Sequence, residues 1–426
     1  MIDGDAVAAL RDERLDWRFQ AVPAIAHGRT VAEYLATGPV LGDLGTPLLT
    51  LDAAALGHNL ALMAGYADKA GVELAPHGKT TMAPQLWKAQ LDAGAWGITL
   101  ANLPQLRVAR AFGVKRLLLA NALIDPAGLA WIAAELDRDP EFEFLSWADS
   151  VRTVELMDAA LRDAGASRPV DVCVELGGPG GRTGARTLGE AEAVAAAIRS
   201  APTLRLVGVG GYEGVLAHDA SDTALSAVDD YLRRFAELFG RLPFEVDAPI
   251  ATAGGSAYFD QVVDVLGGLP SARVILRSGA YLIHDDVFYR GISPFARAES
   301  AEGAESERVG GERFRSAMHG WGRVVSRPER HLALVDAGKR DVPFDEGMPV
   351  PQLVRGRGAA PVANAHVSAL ADQHAFLRDA DVEVGDVVRL GLSHPCTAMD
   401  KWQLIPVISS ADDEDPAVVD FVRTWF

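Results

Sequence analysis

The chain has 426 residues, of which 49% are hydrophobic and 7% aromatic, and its formal net charge is -18. That charge argues against a nucleic-acid surface, which requires a basic face, and suggests a soluble, monodisperse protein rather than any particular partner. The length exceeds one ordinary domain, so one large barrel with a smaller companion is the first expectation. Two cysteines, Cys173 and Cys396, leave no disulfide framework and fit a reducing cytoplasm. The opening stretch carries Asp3, Asp5, Arg11, Asp12, Glu13 and Arg14 without an apolar run, so it does not read as a signal peptide. No apolar run approaches the roughly 20 residues that cross a membrane. The expectation is a cytoplasmic protein with neither membrane nor nucleic-acid partners.

Residues 1–44 lack a strand–helix rhythm and read as an N-terminal arm that packs on a second domain. From Thr46 the rhythm begins: Pro47–Leu51 reads as a strand, and Asp52 as the cap of the Ala-rich helix after it. Further apolar runs follow, each before a helical segment. They are Val72–Ala75 running into Lys79, Gly97–Ala101, Arg116–Ala120, Phe142–Trp147, Val170–Leu176, Leu204–Val209 and Ala248–Ala253. Spacing of about 25 to 40 residues is the period of βα units. Short unalternating strands suit a sheet buried on both faces. Eight units predict an α/β fold, a (β/α)8 TIM-like barrel over 45–290. An open doubly wound sheet gives similar local signals, but the first turn lacks its G-x-G-x-x-G. Residues 296–312, small and charged, read as a mobile loop or linker. Beyond it Ser316–Val325, His331–Asp336, Val350–Val354, Ala363–Ala369 and Asp386–Leu392 are short runs between turns, predicting a C-terminal mostly-β domain within 291–426.

Chemistry-bearing residues gather at the predicted strand ends. Lys79 and His77 close the second strand, where α/β folds place reacting groups. A lysine desolvated there can release its amine for Schiff-base chemistry, although alone it reads as an ordinary surface lysine. Glycines around Arg182 (Gly177–Gly184) let backbone approach a ligand and offer a planar cation. Tyr212 lies among glycines after another strand, to face a ring or merely to plug the mouth. Gly254, Gly255 and Ser256 end the predicted eighth strand, the usual phosphate position of such barrels. The segment Arg277–Tyr281, with Gly279 and Tyr281, follows to close the same pocket. In the second domain His394 and Cys396 form an H-x-C pair of zinc-type ligands, which strand alternation would place on one face. Two protein ligands leave positions open for water or substrate. His366 and His374 are candidates to approach the pair.

Taken in this order, the motifs resemble the fold-type III pyridoxal-phosphate enzymes, the alanine racemase fold. More narrowly they are similar to the D-serine dehydratase and D-threonine aldolase family. Pro76-His77-Gly78-Lys79-Thr80 matches the family box whose lysine holds pyridoxal 5'-phosphate. Arg182 matches the arginine near the cofactor ring, Gly254-Gly255-Ser256 the phosphate turn, and Arg277–Tyr281 the R-x-G-x-Y segment. His394 and Cys396 match the H-x-C pair that binds zinc, or another divalent metal, in the dehydratases, where aldolases carry H-x-D. Relatives continue the lysine box with Thr-His-Lys; Thr81-Met82 departs from that, putting the substrate in question. Gln373-His374 stands where the family has Glu-His. The resemblance implies a lyase acting on small β-hydroxy D-amino acids, D-serine dehydratase-like or else D-threonine aldolase-like, and a homodimer. A racemase would need a tyrosine from the second domain, and none follows Tyr289. A non-catalytic cofactor carrier of this fold would lack the second domain.

Overall fold

The computed structural model describes residues 1–297, 312–357, 362 and 364–426. Most of the expected linker, 298–311, therefore lies outside the described residues. Nine strands precede it: β1 Leu48–Asp52, β2 Glu73–Leu74, β3 Ile98–Leu100, β4 Arg116–Leu119, β5 Glu143–Ala148, β6 Val170–Leu176, β7 Leu204–Gly211, β8 Ile250–Ala253 and β9 Arg273–Leu276. Eight follow: β10 Met318–Glu329, β11 Leu332–Val335, β12 Val350–Val354, β13 His366–Leu370, β14 Ala375–Arg378, β15 Val387–Gly391, β16 Leu404–Ile408 and β17 Val418–Arg423.

Strands β2 to β9 form one parallel sheet in the order β2-β9-β8-β7-β6-β5-β4-β3. Its two edges meet where His77 bridges Thr99, closing the barrel. The side chains of β3, and those of β4 beyond its first residue, are buried throughout, as a sheet covered on both faces requires. Helices start promptly because the turns end in capping residues. Asp52, Asn102, Asp125, Ser150, Thr187 and Ser221 each accept a backbone N–H from the first helical turn. The helix Asp222–Arg241 buries Val228, Tyr231, Leu232, Phe235, Leu238 and Phe239, one stripe at three- and four-residue spacing. Truncating one fully buried ring such as Phe235 to alanine costs about 3–5 kcal/mol.

The eight barrel strands are not the eight expected. β1 is antiparallel to β10 and parallel to β16, so it belongs to the second sheet. The eighth barrel strand is β9. Sequence could not separate these cases, because a strand buried on both faces reads alike in a barrel and in a packed antiparallel sheet. Asp52 shows the tie chemically: one carboxylate oxygen caps the following helix at the Ala55 N–H (2.8 Å), and the other accepts from Ala411 N–H of the second domain (2.7 Å).

The second sheet joins β1 to β10–β17, with β10 pairing β1, β11 and β15. Over the arm, Leu15, Phe19, Val31, Tyr34 and Leu41 share a buried cluster with Trp321, Leu353, Ile408 and Phe421. Leu41 N–H donates to Pro416 O, and Val418 N–H to Pro39 O, both at 2.8 Å. Two backbone bonds dock the sheet on the barrel exit: Asp286 N–H to Leu392 O (3.0 Å) and Ala317 N–H to Ile283 O (2.7 Å). Ser393–Cys396 is thereby carried to the mouth of the barrel. Among the described residues no helix is long and apolar enough to cross a membrane.

Candidate active site at the barrel mouth

Beyond β2 the chain makes one tight turn, Gly78–Thr80, before the helix Pro84–Asp92. That turn raises Lys79 into a cavity of about 320 Å³ at the carboxyl ends of the strands. His77, Arg182, Tyr212, Gly255, Ser256 and Gly279 line the same cavity, together with His394 and Cys396 from the second domain. One chain thus supplies both halves of the site. Gly279 is required by contact: a Cβ there would lie 2.5 Å from His77 O.

His77 is half-buried in the cavity wall, and desolvation, then the charges of Lys79 and Arg277, hold its pKa well below the usual imidazole value. It is a neutral ring. Its buried Nδ1 has no protein partner, and neither has Nε1 of Trp147, which also lines the cavity. Arg277 is buried 4.8 Å over the Trp147 ring, and donates to Thr252 Oγ1 (2.8 Å) and Gly211 O (2.5 Å). Arg182 rides on the glycine-rich loop, its guanidinium 5.2 Å from the Tyr212 ring centre. Arg186 fixes that loop by donating to the carbonyls of Gly181, Arg182, Thr183 and Gly184 at 2.6–2.9 Å. Gly184, at φ +97°, has no room for a Cβ, which would meet Gly177 N at 2.3 Å.

The glycine turn differs from expectation. It ends the seventh barrel strand, and its first two N–H groups are taken: those of Gly254 and Gly255 donate to the buried Glu213 carboxylate at 3.1 and 2.6 Å. Ser256 Oγ accepts from Ala280 N–H at 3.2 Å and keeps its own proton to give. Tyr281 does not reach the cavity; its hydroxyl meets Gln90 Nε2 (3.1 Å) and its ring packs on Phe314. Thr81 and Met82 are likewise buried in the protein rather than in the cavity wall.

The H-x-C pair also departs from the expected strand. β15 stops at Gly391, and His394 caps the short helix Pro395–Met399 at φ +40°, a strained position for a non-glycine residue. Asp345 holds it there, accepting from His394 Nδ1 (2.5 Å) and Thr397 Oγ1 (2.7 Å). Cys396 Sγ lies 3.4 Å from Thr80 Oγ1, beside the turn bearing Lys79. Burial raises the thiol's pKa, but hydrogen bonds with His394 and Thr80 and the His394 and Lys79 charges outweigh it, leaving the net value lowered. Burial opposes the imidazolium, while Cys396 and Asp345 carry the His394 pKa up to about 9. A thiolate beside an imidazole oriented by a carboxylate is a donor set suited to a divalent cation. Among the described residues no group of three or more His, Cys, Asp or Glu side chains forms a metal cluster, and neither His366 nor His374 lines the cavity.

Sequence reading missed Asn121, Trp147 and Tyr289 in the cavity wall. Asn121 and Trp147 had a usable signal, because each stands at a strand end in the same rhythm. Tyr289 had none. Its N–H donates to the Asp285 carboxylate (2.9 Å) and its ring packs on Phe288. Burial, then the charges of neighbours led by Cys396, hold its phenol well above the usual value. Burial and Glu213 push Tyr212 up to about 12.

A primary amine, two guanidinium groups, a neutral imidazole face and buried polar atoms awaiting partners fit an anionic, flat aromatic aldehyde, which is what pyridoxal phosphate is. Comparison with known proteins agrees. Residues 51–265 match the family model "Alanine racemase, N-terminal domain", and residues 317–408 match the "Putative serine dehydratase domain". The chain is 26% identical over 361 residues to a 3-hydroxy-D-aspartate aldolase of Paracoccus denitrificans (strain Pd 1222), covering 83% of this chain and 85% of that one. It is 25% identical over 361 residues to a D-threonine aldolase of an Arthrobacter species, covering 84% and 87%. Its fold superposes on the D-threonine aldolase of Filomicrobium marinum with a TM-score of 0.75 (23% identity, 91% and 97% covered). For the D-threo-3-hydroxyaspartate dehydratase of Delftia sp. HT23 the TM-score is 0.69 (20% identity, 91% and 99% covered). The chain belongs to the alanine racemase-fold family of fold-type III pyridoxal-phosphate enzymes, with a serine dehydratase-type domain after its barrel.

Proposed function

We propose that this enzyme is a pyridoxal-phosphate-dependent lyase of β-hydroxy D-amino acids whose main reaction is dehydration, giving a 2-keto acid and ammonia. The observation that carries the reading is the approach of Cys396 Sγ to Thr80 Oγ1 at 3.4 Å. It brings a thiol–imidazole cation site into the cavity that holds Lys79.

Pyridoxal phosphate, when bound, supplies an electron sink conjugated to the substrate Cα. Lys79 provides the amine that holds it and, once exchanged for the substrate amine, is placed to take the Cα proton. His77 offers a neutral face, so no extra cation competes for the cofactor's charge. Arg182 and Arg277 bring the cations, and Ser256 a hydroxyl for the phosphate. Tyr212 and Tyr289 both stay protonated through the neutral range and so donate hydrogen bonds. The second domain supplies no tyrosine for the second base that a racemase requires. A zinc ion or another divalent cation on His394 and Cys396 would act as a Lewis acid toward the substrate's β-oxygen. Asp345 keeps the imidazole turned for that purpose.

Retro-aldol cleavage to glycine and an aldehyde is the second reading, favoured by the aldolase names of the curated relatives. The same residues serve it if the β-hydroxyl loses its proton instead of leaving. A homodimer and a cytoplasmic location belong to this proposal as well. The deciding experiment incubates the protein, pyridoxal phosphate and zinc with D-serine and D-threonine separately. Pyruvate and 2-oxobutyrate establish dehydration; glycine with acetaldehyde from D-threonine moves the enzyme to the aldolases.

A further inference from the structure

Thr81-Met82, where the lysine box departs from the family pattern, takes no part in the cavity wall. Met82 nevertheless has an unusual backbone. Its φ is +41°, in the left-handed region that a bulky side chain rarely adopts. Such a conformation persists only where the surroundings over-determine it, and it gathers at functional sites. Three restraints hold this one. Met82 is 1% exposed, so its side chain is enclosed. Its N–H donates to Gly78 O at 2.9 Å, a bond that closes the loop carrying Lys79, Thr80 and Thr81. Its carbonyl accepts from Trp425 N–H, also at 2.9 Å, and Trp425 lies just past β17 of the second sheet.

That bond has a companion. Gln85, in the first turn of the helix Pro84–Asp92, grips β17 in both directions: Nε2 donates to Phe421 O (3.1 Å) and Oε1 accepts from Arg423 N–H (3.3 Å). Trp425 is itself pinned, with its ring 5.6 Å from that of Phe112 and 5.1 Å from the Arg423 guanidinium. Met82, Gln85 and Trp425 all stand outside the cavity lining, so they reach the chemistry only through the turn. We propose that Trp425 and Gln85 are positioning residues for Lys79. The edge of β17 holds the Met82 peptide in its strained conformation and thereby sets where the Lys79 amine stands over the cavity. The proposal rests on the lyase reading above, in which Lys79 takes the Cα proton. Without the clamp Met82 relaxes to an ordinary φ, and the loop closed on Gly78 O turns with it. Misplacing a reacting group by an ångström costs about a hundredfold in rate. Substrate contacts made elsewhere survive, so the loss falls on kcat rather than KM.

Trp425→Pro removes the donor to Met82 O, whereas Trp425→Phe keeps that N–H and an aromatic ring for Phe112. The test reads both variants twice. Hydrogen exchange across Thr80–Met82 is measured on the full chain before cofactor is added. With pyridoxal phosphate and zinc, kcat and KM are then measured on D-serine and D-threonine. Trp425→Pro should exchange at least tenfold faster there and lose at least tenfold in kcat, with KM within threefold of wild type. Trp425→Phe should stay within threefold of wild type throughout. If Trp425→Pro fails to fold, Gln85→Ala, which cuts both side-chain bonds to β17 from the barrel side, should move exchange and kcat the same way by at least threefold. Wild-type exchange and kcat in the folded variant overturn the clamp. So does a change in KM alone, or an equal loss in Trp425→Phe, which would assign the effect to ring packing. A wild-type protein that turns over neither substrate overturns the lyase reading instead, and the exchange rates then decide the clamp by themselves.

Discussion

Replacing Glu213 by glutamine tests how the glycine turn is held. The wild-type carboxylate is fully buried and accepts two backbone bonds, 3.1 Å from Gly254 N and 2.6 Å from Gly255 N. It is also the leading charge favouring the buried Arg277 cation, whose pKa burial otherwise lowers. An amide keeps one acceptor and turns an NH2 toward an N–H, so one charge-assisted bond is lost and a donor is left facing a donor. Hydrogen bonds to a buried charge are each worth roughly 1.5–3 kcal/mol. With the weakened support of Arg277, the competent turn should lose about 2–4 kcal/mol. At about 1.4 kcal/mol per tenfold, that lowers pyridoxal-phosphate affinity by about 30-fold or more. The assay is titration of apoprotein with the cofactor, read by its visible absorbance, alongside circular dichroism to confirm folding. Affinity within threefold of wild type in a folded Glu213→Gln protein would refute the role given to this carboxylate.

Three further outcomes follow from particular contacts. Burial holds His319 neutral, its pKa down to about 3. The folded state therefore binds fewer protons than the unfolded one, and stability is lost as pH falls below about 6.5. By pH 4.5 that loss reaches about 2.7 kcal/mol for this group. Denaturant titrations at pH 7 and 4.5 should show a smaller loss for His319→Gln by about that amount, and equal losses would contradict it. Cys396→Ala should retain the cofactor's visible band but lose at least tenfold in zinc affinity, measured by metal analysis after dialysis. Arg186→Met should speed amide hydrogen exchange across Gly177–Gly184, because four carbonyls lose their common donor; unchanged exchange would show that the loop holds itself.

Much of the site was legible because barrel chemistry gathers at strand ends, and strand ends follow from rhythm. Lys79, Arg182, Tyr212 and the Gly254–Ser256 turn sit where a run of buried apolar residues gives way to glycine or a cap. Legibility failed where partners come from afar. Nothing near Pro47–Leu51 says that its neighbours in the sheet are Met318–Trp321 and Val407–Ile408. Tyr281 looked like a cavity residue by its motif, yet its partner is Gln90, 191 positions away. Glu213 was visible as a residue, but not as the occupant of the turn expected to meet a phosphate. Asp345, whose contact orients His394 from 49 positions away, carried no local signal at all. Periodicity reports burial; it does not report which buried surface meets which.

The central claim is that Lys79 carries the cofactor in the cavity closed by His394 and Cys396. Borohydride reduction of the cofactor-loaded protein, followed by peptide mass mapping, tests it most directly. A single pyridoxyl adduct on the peptide containing Lys79, abolished in Lys79→Ala, is the predicted result. An adduct on another lysine, or an adduct that survives the substitution, would contradict the account.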